Sequence, residues 1–443
     1  MNTERAVVPA ARDALVAACP VVREGVPASD AVAGVVPSFV AFPASTDEAS
    51  ALMRAADVHH LTVVPRGAGT GLGWGAPPSS CDLVIDLQAM DQVIEHAAGD
   101  LVARVQAGAT MGHLASVLAA AGQQLALDVP ADATVGGVVA TGTAGPRRFR
   151  YGAPRDLLIG ITVVRADGVV AHSGGKVVKN VAGYDLGKLF SGSQGTLGLI
   201  TEATFRLHPL PAAEAWVTAD FTPDSPSALA EAASAVASAA GSALVPSAVE
   251  LLWAGPPVVL RVGVLLEGTR SGVEGRARQM AELLAAAGGT PVVAIADQPF
   301  RWPGQIPEPG SPGTVVRVTF WVRQLADVLG ALAAAGASAD VRPAVSGPAG
   351  AGLLYARLDP ATGDGTAARF VRTLRDRLEG VFAESADGSG LLRGGVTVPA
   401  GPAAVLAAAG PGRPLPGLDL MRAVKDQFDP GHRMFPGRLD WGQ

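Results

Sequence analysis

LTVVPRGAGTGLGWG, residues 61–75, sets five glycines at alternate positions (Gly67, Gly69, Gly71, Gly73 and Gly75) after a short β-branched run and one arginine, Arg66. Lacking Cβ atoms, such a loop brings bare backbone close to a ligand, and successive N–H groups can turn into one concavity that suits phosphate oxygens. Arg66 stands where it adds a positive charge. The residues beyond the loop sort the classes of phosphate loop. A nucleoside-triphosphatase loop ends in Gly-Lys-Ser/Thr, and no lysine occurs before Lys176. GLGWGA, 71–76, fits the G-x-G-x-x-A dinucleotide fingerprint, but that fingerprint needs a helix directly after it to offer its N-terminus to a diphosphate. Here Pro77 and Pro78 come next, then DLVIDL at 82–87, so the unit reads strand, loop, strand. Against a ligand loop stands a glycine-rich surface turn that binds nothing.

The chain as a whole narrows the classes of function. Its 443 residues are enough for roughly two to three domains with sizeable cores. A formal charge of -6 and only three tyrosines give no footprint for nucleic acid. Mean hydropathy is +0.31, yet it comes from alanine and valine. The alanine-rich stretch 229–252 is broken by Glu231, Gly241, Pro246 and Glu250, so it holds no span of about 20 apolar residues. The start, MNTERAVVPAARDAL, has no basic region followed by an apolar core, and the expected location is the cytoplasm. Two cysteines, Cys19 and Cys81, are too few for an iron–sulfur cluster, which takes four thiolates. No metal site is expected: H-E-x-x-H is absent, and His59 and His60 read as a solvated helix end. G-x-S-x-G is absent too.

Along the chain, 35–87 reads as strand (35–41), helix, strand (61–64), loop, strand (82–87), with Ser45 and Glu48 as a capping box for the helix. A second block, 92–210, reads as a strand at 101–106, a helix at 111–121 capped by Thr110, a glycine-rich turn with a short helix at 134–142, and strands near 158–172 and 199–207. Asp167-Gly168 marks a hairpin turn. After HPLP at 208–211 the texture changes. Strands are expected near 215–221, 247–252, 258–267, 291–295, 314–321, 338–343, 353–358 and 391–398, with helices near 225–240, 269–287, 323–335 and 364–380. The order is twice strand, helix, strand, strand, helix, strand, which is ferredoxin-like. The stretch 418–438 differs from it and reads as a helix and tail returning to the first domain.

Three further segments complete the glycine loop. They are DVPADATVGGVVATGTAGPRRFRYGAPRD (128–156), GGKVVKNVAGYDLGKLFSGSQGTLGLIT (174–201) and the tail ending FDPGHRMFPGR. In their order and spacing, PRGAGTGL, TVGGVVATGTAGPRR, KNVAGYDLGKLFSGSQGTLGLITE and DPGHRMFPGR resemble the FAD-binding domain of the vanillyl-alcohol oxidase and p-cresol methylhydroxylase (PCMH) superfamily. They look most like the FAD-binding subunits of glycolate oxidases. The resemblance covers about 35–211 plus 418–438.

The fold implied is α+β: a two-subdomain PCMH-type FAD-binding domain with a ferredoxin-like α+β cap. The expected division is an N-terminal extension (1–34), the FAD domain (35–211), a cap or substrate domain of two ferredoxin-like halves (212–415), and a returning segment (416–443). The cofactor implied is FAD, its diphosphate on the backbone of Arg66, Gly67, Ala68, Gly69, Thr70 and Gly71. The second loop adds Pro130, Thr134, Gly136, Gly137, Thr141, Gly142 and Gly145, and the main chain from Gly195 to Ile200 lies near the flavin ring. Superfamily members that hold flavin covalently through the glycine loop carry a histidine there. This chain has Thr70, Gly71 and Leu72, so noncovalent FAD is expected.

Lysine usage gives a separate clue. Only four lysines occur among 34 basic residues, and Lys176, Lys179 and Lys188 fall in the KNVAGYDL region, with Lys425 in the tail. A compact ammonium retained in an arginine-rich chain points to a steric or electrostatic need, or to ordinary ion pairs around a tight turn. Lys179 and Tyr184 are the candidate catalytic residues, although Tyr184-Asp185 also reads as a helix cap.

Two departures from the family matter. Metal-dependent 2-hydroxy-acid dehydrogenases of the superfamily carry H-x-G-D-G-N-x-H in the cap, and this chain has no histidine between His208 and His432. Their usual proton acceptor is missing. The family tail commonly has Phe-Asn before Pro-Gly-Arg, where this chain has Met434 and Phe435. The implied role is an FAD-binding subunit of a glycolate-oxidase-like complex acting on a small 2-hydroxy acid. Its partners would be a paralogous FAD-containing subunit and an iron–sulfur subunit, with any membrane association supplied by a partner. The alternatives are a stand-alone flavin oxidase of a sugar alcohol, aldonic acid or lactone, and a scaffold subunit without catalysis.

Overall fold

The computed structural model describes residues 9–175, 184–222, 227–253, 260–295, 302, 313–384, 394–410, 412 and 417–438. Two compact units emerge, 1–144 with 153–210 and 417–443, and 145–152 with 211–416. Helices and strands are mixed in an α+β fold.

The first unit holds two larger sheets. In the four-stranded one the order is Val22–Glu24, Phe39–Ala41, Leu83–Asp86, Val63–Arg66. Leu83–Asp86 runs parallel to both neighbours and is buried along its whole length, which is why Leu83, Val84 and Ile85 are consecutive apolar residues rather than an alternating pattern. Thr46–Val58 is the helix between the Phe39 and Val63 strands. Its Ser45 side chain accepts from the Glu48 amide at 3.2 Å, while Glu48 Oε2 accepts from the amide of Ala44 at 2.9 Å. The box therefore closes one residue earlier than the sequence pattern places it. Ala49, Leu52, Met53 and Ala56 form the buried stripe of this helix, at the spacing of one helical face.

The five-stranded sheet is antiparallel, in the order Val93–Ala97, Val102–Gln106, Leu199–Arg206, Leu158–Val164, Val170–Gly174. Its last hairpin turns at Asp167-Gly168, where Asp167 Oδ1 accepts from the Val169 amide at 3.0 Å. Ser50, on the helix of the other sheet, donates to Gly168 O at 2.6 Å, and a shared core runs from Leu52 and Leu83 to Val105 and Val163.

Both chain ends build on this unit. Pro9–Ala18 buries Ala11 and Leu15, Val22–Glu24 extends the four-stranded sheet, and Pro27–Asp30 buries Asp30. From the other end comes the helix Leu418–Phe428, and the turn after it bridges the Val63 strand. The Val63 amide donates to Arg433 O at 2.9 Å, and that of Phe435 to Val63 O at 2.8 Å.

In the second unit, two βαββαβ runs share one eight-stranded antiparallel sheet. Each half has its strands in the order fourth, first, third, second, and the halves meet where Ala248–Trp253 pairs with Ala344–Gly347. Buried alanines and leucines of Ala228–Ala240, Arg270–Ala286, Leu325–Ala339 and Asp364–Glu384 join one core with the strands. The strand expected at 338–343 falls elsewhere. Alanine carries the preceding helix on to Ala339, Asp340 ends it at φ 56°, and the strand is Ala344–Gly347, just past Pro343. No helix among the described residues is long and apolar enough to cross a membrane.

Gly145–Gly152 lies between parts of the first unit in sequence but belongs to the second in space. Tyr151 donates to Glu267 Oε2 at 2.8 Å, and Arg147 Nη1 lies 3.6 Å from Glu267 Oε1.

Candidate functional site

A cleft of about 680 Å³, counting the space at its mouth, opens in the first unit. The parallel strand Val63–Arg66 delivers the glycine loop to it. Arg66, Gly67, Gly69, Thr70, Gly71 and Leu72 line one wall, and Thr134, Gly136, Gly137, Ala140 and Thr141 another. Gln194, Gly195, Gly198 and Ile200 form a third, and Phe435 and Arg438 come from the tail.

The alternate glycines serve different ends. A Cβ on Gly67 would lie 2.1 Å from Thr134 Oγ1, and one on Gly71 would lie 2.7 Å from Thr141 Cγ2. These two let the loop lie directly against the residues around Val135–Thr141. A Cβ on Gly69 would meet only Leu72 Cδ1, at an ordinary 3.7 Å, but Gly69 takes φ 80°, a conformation that side chains resist. Among the described residues the amides of Ala68, Gly69, Thr70 and Gly71 have no backbone acceptor. Such a row of unspent N–H groups is an anion-binding concavity.

Arg66 does not reach the cleft as a free charge. Its Nε lies 2.8 Å from Asp86 Oδ2 and its Nη2 3.2 Å from Asp30 Oδ1, and both carboxylates are 1% exposed. Asp30 also accepts from Arg23 and from the Val26 amide, and the Arg23 guanidinium above all holds its carboxyl far below the usual carboxylate range. Arg66 thus fixes the root of the loop to two neighbouring segments.

Gln194 and Gly195 sit in left-handed turns, at φ 58° and 75°. The Gln194 amide donates to Ala140 O at 2.8 Å, which ties this turn to the helix, while its side-chain Oε1 is buried with no hydrogen-bond partner. Lys425 secures the same turn from the tail. Its Nζ donates to Thr196 O at 2.6 Å, Asp429 Oδ2 at 2.5 Å and Met434 O at 3.1 Å. Burial pushes the Lys425 ammonium down from its ordinary pKa, and Asp429 opposes that shift. A tetrahedral ammonium reaches three acceptors around one point, a geometry that a planar guanidinium does not match. Lys188, by contrast, forms an exposed pair with Asp185, the N-cap of Leu186–Phe190.

Most of the residues expected from sequence at a ligand are therefore together: Arg66, Gly67, Gly69, Thr70, Gly71, Thr134, Gly136, Gly137, Thr141, Gly195 and Ile200 all line the cleft. Ala68, Pro130 and Gly142 are not among its lining residues, and Gly145 groups with the second unit. Tyr184 is 90% exposed and away from the lining, and Lys179 lies outside the described residues. Leu87, Ala107, Ala140, Gln194 and Arg438 are lining residues that sequence reasoning missed, while Phe435, named from sequence only as a departure from the family tail, lines the cleft as well. The Phe435 backbone is left-handed at φ 44°, where asparagine or glycine is usual. Apart from the two arginines no titratable side chain lines the cleft among the described residues, and no cluster of metal-ligating side chains occurs among them.

Residues 37–174 match the family described as FAD binding domain. Glycolate oxidase subunit GlcD of Bacillus subtilis (strain 168) is 33% identical over 178 residues, 40% of this chain and 38% of that protein. A probable mitochondrial D-lactate dehydrogenase of Danio rerio is also 33% identical over 178 residues, 40% of this chain and 36% of the relative. The match thus spans well under half the length of these curated relatives. In structure the chain is similar to p-cresol methylhydroxylase with substrate bound, with a TM-score of 0.72 and 16% identity, covering 97% of this chain and 96% of that one. At that identity the likeness is one of fold. The chain carries an FAD-binding domain on a p-cresol methylhydroxylase-type fold, and the cofactor is FAD.

Proposed function

We propose that this FAD-binding chain is an oxidoreductase subunit of a glycolate-oxidase-like complex that oxidises a small 2-hydroxy acid. The observation that carries the reading is the cleft itself. The amides of the lining residues Gly69, Thr70 and Gly71, which have no backbone acceptor among the described residues, an orphaned Gln194 oxygen and a buried arginine suit a ligand with a diphosphate at one end and polar donors elsewhere. Among the described residues no histidine, cysteine or tyrosine lines it, which supports noncovalent FAD.

When bound, the flavin supplies a hydride acceptor for the carbinol carbon of a hydroxy acid. The chain's own residues bind and orient it. Gly67, Gly69, Thr70 and Gly71 would hold the diphosphate, with Gly136, Gly137 and Thr141 as its second wall, and Gln194, Gly195 and Ile200 would line the ring end. Leu87, Ala107 and Phe435 give the cleft apolar lining. No cleft residue among those described is a general base, so a proton acceptor for the substrate hydroxyl comes from elsewhere. A paralogous FAD-containing partner fits that need, with electrons leaving for an iron–sulfur partner. Both relatives are named for 2-hydroxy acids, glycolate and D-lactate, which supports that substrate class. The place of action is the cytoplasm, with any membrane association supplied by a partner.

The test is anaerobic spectroscopy of the purified chain, alone and with its co-purifying partners. The expected result is one bound flavin per chain that bleaches with glycolate or D-lactate only when the partners are present. Bleaching by the chain alone would instead favour a stand-alone oxidase. A chain that neither retains nor takes up FAD would sink both readings and leave a scaffold.

A further inference from the structure

The charge balance of the cleft singles out one side chain. Arg66, at the root of the glycine loop, is neutralised by the two buried carboxylates of Asp30 and Asp86. An anion that arrives there meets a group with no surplus positive charge. Arg438 is the opposite case. It is 3% exposed and lines the same cleft, and burial is what acts on its titration, with no carboxylate among the described residues contributing. That burial pushes its pKa down to about 10, so the guanidinium stays charged at neutral pH.

Among the described residues its partners are carbonyl and aromatic. Nη2 donates to Gly71 O at 2.8 Å and Nη1 to Leu72 O at 2.9 Å, the guanidinium lies 4.5 Å from the Phe435 ring centre, and Nε has no partner. Gly75 makes room for the stem: a Cβ there would lie 3.1 Å from Arg438 Cδ and Nε. By taking the carbonyl ends of the glycine loop, Arg438 leaves its amide ends for the ligand. A buried cation without a counter-charge is costly, and an anion in the cleft offsets that cost.

We propose that Arg438, and not Arg66, supplies the positive charge that holds an organic diphosphate in this cleft, acting as a positioning residue from behind the glycine loop. The inference rests on the FAD reading, because the diphosphate in question is that of FAD.

The experiment titrates deflavinated full-length protein with FAD, ADP and riboflavin at two salt concentrations, comparing the parent chain with Arg438→Met and Arg438→Lys. Arg438→Met is expected to weaken FAD and ADP by about 10- to 100-fold, the loss typical of one hydrogen-bonded charge, and to flatten their salt dependence. Riboflavin, which has no phosphate, should bind both proteins equally, and Arg438→Lys should recover part of the loss. Unchanged FAD and ADP affinity overturns the proposal. So does an equal loss of FAD, ADP and riboflavin, which would make Arg438 a brace only. If the parent chain binds ADP through Arg438 but not FAD, the flavin reading fails while the charge assignment stands. Binding of neither ligand sinks the assignment.

Discussion

At the scale of single residues, the chemistry around Arg66 separates what a sequence shows from what it hides. The motif PRGAGTGL makes Arg66 look like a phosphate ligand, because an arginine beside a glycine loop is a charge beside a backbone concavity. Its two partners, Asp30 and Asp86, lie 36 and 20 residues away, and nothing local announces them. The buried Asp30 carboxylate instead joins Arg23 and Arg66 to the Val26 amide. Its folded pKa lies below its unfolded value, chiefly through Arg23. Stability from such a group is complete above the unfolded value, about 4, and is lost as pH falls through the folded one. The melting temperature of the parent chain should therefore fall more steeply below about pH 4 than that of Asp30→Asn, which has already lost this contribution. At pH 7 Asp30→Asn should melt lower, since two arginines lose their buried partner. Equal pH slopes in the two proteins would show that the carboxylate does not link folding to pH.

Among the elements, legibility tracks how local the deciding forces are. The helix Thr46–Val58 is readable because its cap and its apolar stripe both lie inside the element. The strand near 340 eludes the sequence pattern because alanine propensity carries Leu325–Ala339 past the expected end, and the stop is a single left-handed Asp340. The lysines are legible as an anomaly but not in their roles. Lys188 is a helix-end pair, whereas Lys425 joins the tail helix to the turn that presents Gln194 and Gly195. Asp429, 0% exposed, also accepts from the Arg433 and Met434 amides, so the whole tail turn is organised around one buried ion pair. Lys425→Met leaves that carboxylate without its cation and should destabilise the first unit by about 3–5 kcal/mol. Lys425→Arg should rescue little, because the acceptors surround a point. Calorimetry checks both, and full recovery by arginine would show that charge alone matters here.

For the whole molecule, the division into two units depends on a segment whose sequence neighbours misrepresent its place. Gly145–Gly152 comes directly after a stretch that lines the cleft, and by sequence the glycine at its start reads as one more cofactor contact. Its arginines and tyrosine belong to the second unit instead. Which unit claims them is decided by residues about a hundred positions later, Ser247 and Glu267, and no periodicity in 145–152 encodes that choice. The Tyr151 hydroxyl donates to the buried Glu267 carboxylate, and burial, with that carboxylate beside it, pushes the phenol up to about 12. The bond therefore persists throughout the physiological pH range. Tyr151→Phe removes the donor and keeps the ring, leaving a buried carboxylate oxygen short of one hydrogen bond at a cost of about 1–3 kcal/mol. Because the bond lies within the second unit, the loss should appear in that unit's unfolding and leave FAD retention by the first unit intact. Hydrogen exchange read by mass spectrometry distinguishes the two, with faster exchange expected in the strand Leu260–Gly268 and no change in Val63–Arg66. If Tyr151→Phe instead released flavin while the Leu260–Gly268 amides stayed protected, the segment would be serving the cofactor domain that its sequence position suggests.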